Sequence, residues 1–89
     1  MRSPTYTRQF EKDVKRLCRR GKNLEKLKMV IRSLVAGEAL DAIHRDHKLL
    51  GSYRGRHECH IESDWLLIYK VARGSIIFER SGSHADLFR

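Results

Sequence analysis

A chain of 89 residues can build one small domain around a thin core, so residues 1–89 are expected to form a single unit; a hydrophobic content of 40% with three Phe, three Tyr and one Trp argues against disorder. The formal charge of +8 implies a polyanionic partner, nucleic acid first, and the excess sits at the front: residues 1–36 hold eleven Lys and Arg against three Asp and Glu, residues 37–89 eight of each. The longest apolar run, Trp65 to Tyr69, falls far short of the roughly 20 residues a membrane span needs, and with no signal peptide in view Cys18 and Cys59 are expected as reduced thiols of a cytoplasmic protein.

In chain order, Met1 to Tyr6 reads as an edge strand, where Pro4 is tolerated. Thr7 then caps a helix to about Arg20, with Phe10, Val14, Leu17 and Cys18 on one apolar stripe, and Gly21 ends it. A second helix runs from an Asn23 cap to Ala36 with Leu24, Leu27, Ile31, Leu34 and Val35 on its inner face, stopped by Gly37. Beyond Gly37 the period shortens to two. A short strand near Asp46 to Gly51 precedes one over Arg56 to Glu62, where His57, Cys59 and Ile61 alternate with Glu58 and His60. Trp65 to Val71 and Ser75 to Ser81 are two more, joined across Ala72-Arg73-Gly74, and the short connections require antiparallel pairing. His84 to Phe88 is a tail or a turn of helix. The expected class is α+β, a helical hairpin packed on one face of a small twisted antiparallel sheet.

All five histidines lie between His44 and His84. His44, His47, His57, His60 and Cys59 are ligand types for zinc, but His57 and His60, three apart on a strand, face opposite sides of the sheet, and there is no CxxC or HExxH. No metal or cofactor is therefore expected. A ribonuclease without metal needs a base for the ribose 2'-OH, an acid for the leaving oxygen and a cation on the phosphate. His, Asp and Arg supply these roles. His60 ends one strand and Asp64 opens the next, Arg80 ends the last, and His84 follows it across a Gly-containing turn. Singly, each has an ordinary reading as a solvated His, a turn former or a surface ion pair. Trp65, Leu67 and Tyr69 are expected in the core rather than as a substrate platform, whereas Phe88, an aromatic in a polar tail, either staples the tail or stacks on a base. On the helices, Lys12, Lys15, Arg16 and Arg19 have too few acids interleaved to be balanced and are expected to bind phosphate without sequence readout.

In order and spacing, Asp46-His47-Lys48-Leu49, then Gly51-Ser52-Tyr53-Arg54-Gly55-Arg56, then His60-Ile61-Glu62-Ser63-Asp64-Trp65-Leu66-Leu67-Ile68-Tyr69 resemble the DHxL, GxWxGxR and HxxPDWxLIY pattern of YafQ-type toxins. Phe78 to Phe88 is similar to their FxRxGxHxxLF ending. Tyr53 stands where Trp is common, Ser63 where Pro is common, and Ser81 and Ser83 where Thr is common. The resemblance spans residues 7 to 88 and implies the RelE-like toxin fold, cleavage of mRNA in the ribosomal A site, and neutralisation by a small antitoxin protein. By position it makes His47, His60, Asp64, Arg80 and His84 the catalytic set, with Trp65 beside it and Phe88 as the C-terminal aromatic, both on the substrate. The alternative from another class is a ParE-like toxin that inhibits gyrase by binding; such proteins lack this His/Asp/Arg set.

Overall fold

The structure, a computed structural model, describes residues 1–49 and 55–88. The expected strand end at Gly51 and the Gly51 to Arg54 part of the motif lie outside the described residues.

Both long helices form where their caps predict. In α1 (Arg8–Arg19) the Thr7 side chain accepts from the Phe10 amide, and in α2 (Leu24–Ala36) Asn23 accepts from the Glu25 amide while Gly37 closes the helix in the left-handed region at φ 80°. A 3-10 turn over Ala42–His44 leads to the short strand β2 (His47–Lys48). The remaining strands are β1 (Ser3–Tyr6), β3 (His57–Glu62), β4 (Trp65–Ala72) and β5 (Ser75–Gly82), and the chain ends in α3 (His84–Leu87).

One five-stranded sheet has the order β1-β5-β4-β3-β2. Strands β2 to β5 pair antiparallel as expected, but β1 joins β5 in parallel, Ser3 opposite Ser75 through Tyr6 opposite Phe78. The reason is topological: β1 is separated from its partner by most of the chain, so no short turn dictates its direction.

Between α1, α2 and the sheet, Phe10, Leu17, Leu27, Val30 and Leu34 meet Cys59, Ile61, Trp65, Leu67, Tyr69, Ile76 and Phe78. Cys18, expected on this stripe, is exposed, and Asp13 takes a buried place on the helix instead. The opposite face of β4 is also apolar: Leu66 and Ile68 are covered by Leu87 of α3 and by Leu49. Burial on both faces explains why β4 reads as a continuous run, Trp65 to Tyr69, rather than an alternation. That second layer holds the C-terminal tail against the sheet.

Three local devices fix α3. Ser83 and Asp86 make a reciprocal capping box. Asp86 also receives two hydrogen bonds from Arg20, the C-cap of α1, at 2.7 and 3.1 Å. Gly82 leaves room for it, since a Cβ there would lie 2.8 Å from Asp86 Oδ2. The Arg20 guanidinium, and after it the Ser83 amide and hydroxyl, hold the Asp86 carboxyl below the usual carboxylate range. A carboxyl depressed on folding stabilises above its unfolded pKa and loses that contribution as pH falls through the folded value. Asp86→Asn is thus expected to melt below the parent at neutral pH, the difference shrinking as acidification passes below the ordinary aspartate range. A difference in melting temperature independent of pH would count against this pairing.

Candidate active site

In antiparallel pairs, residues opposite each other point to the same side of the sheet. His47 is opposite Glu58, Glu58 opposite Ile68, and His60 opposite Leu66. His47, Glu58 and His60 therefore share the face of Leu66 and Ile68, the face that α3 covers in part. His57, one register position away from Glu58, turns to the helix side and stacks on Tyr69 with ring centroids 5.2 Å apart. The two histidines that a strand reading keeps apart are indeed on opposite faces.

The site centres on His84 and Asp64. Asp64 sits in the β3–β4 turn, and its Oδ1 accepts from the His84 backbone amide at 3.0 Å and pairs with His84 Nδ1 at 2.7 Å. These two interactions, the backbone bond first, hold the Asp64 carboxyl below its usual range. An ionised carboxylate only accepts, so Nδ1 carries the proton and the other ring nitrogen, Nε2, is the one left to exchange protons. Both side chains are largely exposed, 66% for Asp64 and 56% for His84. An ion pair this wet contributes little to stability. Orientation of the ring is what it provides.

His60 lies next to it, ring centroids 6.1 Å apart, and the Phe88 ring is 6.2 Å from that of His84. The His60 Nε2 is 3.6 Å from Glu58 Oε1, and His47 Nε2 approaches the same oxygen at 3.3 Å. Behind this row, His44 Nδ1 bonds the His60 carbonyl at 2.7 Å and His47 Nδ1 the Arg45 carbonyl at 2.6 Å. The result is a continuous line, His47, Glu58, His60, His84 and Asp64, along one rim. Ile43, His44, Arg45, His60 and Ser63 line a hollow of about 300 Å³ beside it.

Glu58 was missed as a site residue. Its place between Arg56 and His60 on the polar side of a half-buried strand is visible in the sequence, but its burial, 8% of the side chain exposed, is not. The sequence treats that side as solvated, whereas Glu58 is buried there with the imidazoles of His47 and His60 against its Oε1.

Three expected placements need correction or qualification. Trp65 is 1% exposed, packs in the helix-side core and donates its indole N–H to Ser81 Oγ at 3.0 Å, so it offers no face to a substrate base. Burial of an aromatic with a satisfied N–H is a core role. Arg16 is not a freely displayed cation: it reaches Asp13 at 2.8 Å and stands 3.9 Å from Asp86. Lys12, Lys15 and Arg19 are exposed as expected. Arg80 is held on Asp13 through Nε at 2.8 Å and Nη2 at 3.3 Å, with 23% of its side chain exposed.

Among the described residues no group of three or more His, Cys, Asp or Glu side chains is arranged to hold a metal ion. No helix among them is long and apolar enough to cross a membrane.

Comparison with known proteins gives a consistent answer. The family model for bacterial toxins of type II toxin-antitoxin systems, YafQ, matches residues 2–89. The chain is 43% identical over 84 residues to an mRNA interferase toxin YafQ of Escherichia coli K12, covering 93% of this chain and 91% of that one. The crystal structure of the E. coli DinJ-YafQ toxin-antitoxin complex superposes with a TM-score of 0.93 at 42% identity, covering 99% of this chain and 98% of that one. A copper-bound mutant toxin from Helicobacter pylori superposes with a TM-score of 0.94 at 36% identity, covering 99% of this chain and all of that one (100%).

Proposed function

This chain belongs to the YafQ family of bacterial type II toxins, and on that footing we propose that it is an mRNA endonuclease that cuts message on the ribosome by attack of the ribose 2'-OH. The observation that carries the mechanism is the exposed Asp64–His84 pair with His60 beside it, 6.1 Å ring to ring. Two imidazoles at that separation can flank one phosphate. One of the histidines His47, His60 and His84 takes the proton of the 2'-OH while its oxygen bonds to phosphorus; a second gives a proton to the 5'-oxygen as the P–O5' bond breaks. Arg80 stabilises the charge that builds on the phosphate oxygens. Asp64, kept ionised, holds His84 in the required tautomer. Phe88, 41% exposed, offers a ring against which a neighbouring base can stack.

The copper-bound relative makes metal dependence the rival to test. The protein stripped of metal is expected to cut at its original rate on ribosomes that retain their own magnesium, leaving 2',3'-cyclic phosphate or 3'-phosphate ends and 5'-hydroxyl ends. Cleavage that is lost on stripping and restored by one transition metal would replace this mechanism.

Binding would come from the helical half. Lys12, Lys15 and Arg19 face solvent on α1 and supply sequence-independent contact to ribosomal RNA phosphates. Affinity for ribosomes should fall steeply as salt rises, and reversing these three charges to Glu should weaken it and flatten its salt dependence. Identical binding of parent and reversed variant across a salt series would remove α1 from the interface. The partner in the resting cell is a small antitoxin, as DinJ is for the E. coli relative, and the compartment is the cytoplasm, where ribosomes translate.

A further inference from the structure

Among the described residues, Asp13 is the one charged side chain with no exposure at all. Its neighbours on the helix stripe, Phe10 and Leu17, are core residues, so an apolar side chain at 13 would serve packing alone. A buried carboxylate is costly unless donors meet its oxygens. Here Oδ2 accepts from the Ser81 amide at 3.0 Å and Arg80 Nε at 2.8 Å; Oδ1 accepts from Arg80 Nη2 at 3.3 Å, Arg16 Nη2 at 2.8 Å and Gln9 Nε2 at 3.3 Å.

Part of this is sheet-edge chemistry. Strand β1 pairs with β5 only as far as Phe78, so the edge amide of Ser81 needs another acceptor, and α1 supplies Asp13. A neutral Asn would suffice for that single bond. The two-point hold on Arg80 does need a carboxylate, because Nε–H and Nη2–H leave the guanidinium in parallel and match its two oxygens. Holding both fixes the plane of the group and hence the direction of its remaining protons. Arg80 lies opposite Ile68, just past a register shift in β5, and Ile68 is on the histidine face. The neighbouring charges keep the anchor from cancelling the cation: the guanidinium groups of Arg16, Arg20 and Arg80 share the carboxylates of Asp13 and Asp86, which leaves the cluster positive.

We infer that Asp13 is a positioning residue for RNA cleavage, aiming Arg80 at the scissile phosphate from behind without touching the RNA. The inference rests on the proposed role of Arg80. Misalignment of a catalytic group by about 1 Å costs on the order of 10²-fold, so a partial loss of the hold should be measurable.

The test measures single-turnover cleavage of ribosome-bound message by purified Asp13→Asn, Arg80→Ala and the double variant, each checked for fold by circular dichroism. Asp13→Asn keeps an oxygen for the Ser81 amide and loses the charge and the second acceptor. It is expected to slow the chemical step about tenfold with the half-saturating ribosome concentration unchanged, and the double variant should be no slower than Arg80→Ala alone. A parental rate for Asp13→Asn beside a slow Arg80→Ala, or losses that multiply in the double variant, overturns the positioning role. Parental cleavage by Arg80→Ala overturns the role of Arg80 itself and this inference with it. If Asp13→Asn does not fold, the unmodified protein decides. Its Arg80 Nε–H nitrogen-15 signal should exchange slowly with solvent and persist when inorganic phosphate is added; exchange as fast as in an exposed arginine overturns the inference.

Discussion

Replacing His84 by alanine is expected to slow cleavage of ribosome-bound RNA by about 10² to 10⁴-fold, the range that general acid–base groups contribute, with the melting temperature nearly unchanged. The two halves of that expectation have separate grounds. His84 is 56% exposed and its partner Asp64 66%, so little packing is lost, and α3 keeps its Ser83–Asp86 capping box and its Leu87 contact. The chemistry loses the ring whose Nδ1 is fixed by a carboxylate and whose Nε2 is left for proton transfer. Asp64→Asn makes a milder companion: its amide oxygen can still accept from the His84 backbone N–H and from Nδ1, but the negative charge that favours this tautomer is gone. A smaller loss than for His84→Ala should result. Folded His84→Ala that cuts at the parental rate would remove His84, and with it the reading of Asp64 as its orienting partner.

The fold brings these groups together by folding the C-terminal tail back over the sheet. Leu66 and Ile68 are fully buried on a face that carries His60 and Glu58, and Leu87 is the plug that closes over them. Placing an apolar residue three positions after His84 in a single helical turn sets the imidazole at the edge of that patch, beside the β3–β4 turn. In the proposed mechanism stability and catalysis thus draw on the same short segment, in which Gly82 makes room for Asp86.

Much of this was legible in the residues. Thr7, Asn23 and Gly37 mark the helix ends because side-chain and left-handed caps are local chemistry, and the alternation through His57 to Glu62 sets which histidines share a face. What was not legible depends on partners distant in sequence. The parallel direction of β1 follows from its docking on β5, which no turn encodes. Trp65 reads as a core residue, but it meets Ser81 across two strands, so the hydrogen bond that satisfies its indole cannot be read from the motif around it. Glu58 looks solvated until the fold brings His47 of β2 and His60 against it. Asp13 left a trace, an acid breaking the apolar stripe between Phe10 and Leu17, but its meaning needs Arg80, 67 residues away. Arg16 was expected as an outward charge for the converse reason: one of its acids, Asp13, lies on the side of α1 that a helical wheel assigns to packing, and the other, Asp86, is in α3, distant in sequence.

One altered substrate separates attack by the 2'-OH from attack by water. If the 2'-oxygen of the scissile nucleotide is the nucleophile, its removal leaves nothing in the active site to form the bond to phosphorus, whereas phosphate, base and ribosome contacts remain. A ribosome-bound message with a single 2'-deoxy nucleotide at the preferred cleavage position is expected to be bound as tightly as the all-ribose message. That bond should resist cutting to the limit of detection while cleavage at other codons continues. Cutting of the deoxy-substituted bond, or products with 5'-phosphate and 3'-hydroxyl ends, would rule out the 2'-oxygen as nucleophile, because both require water or a metal-bound hydroxide in its place.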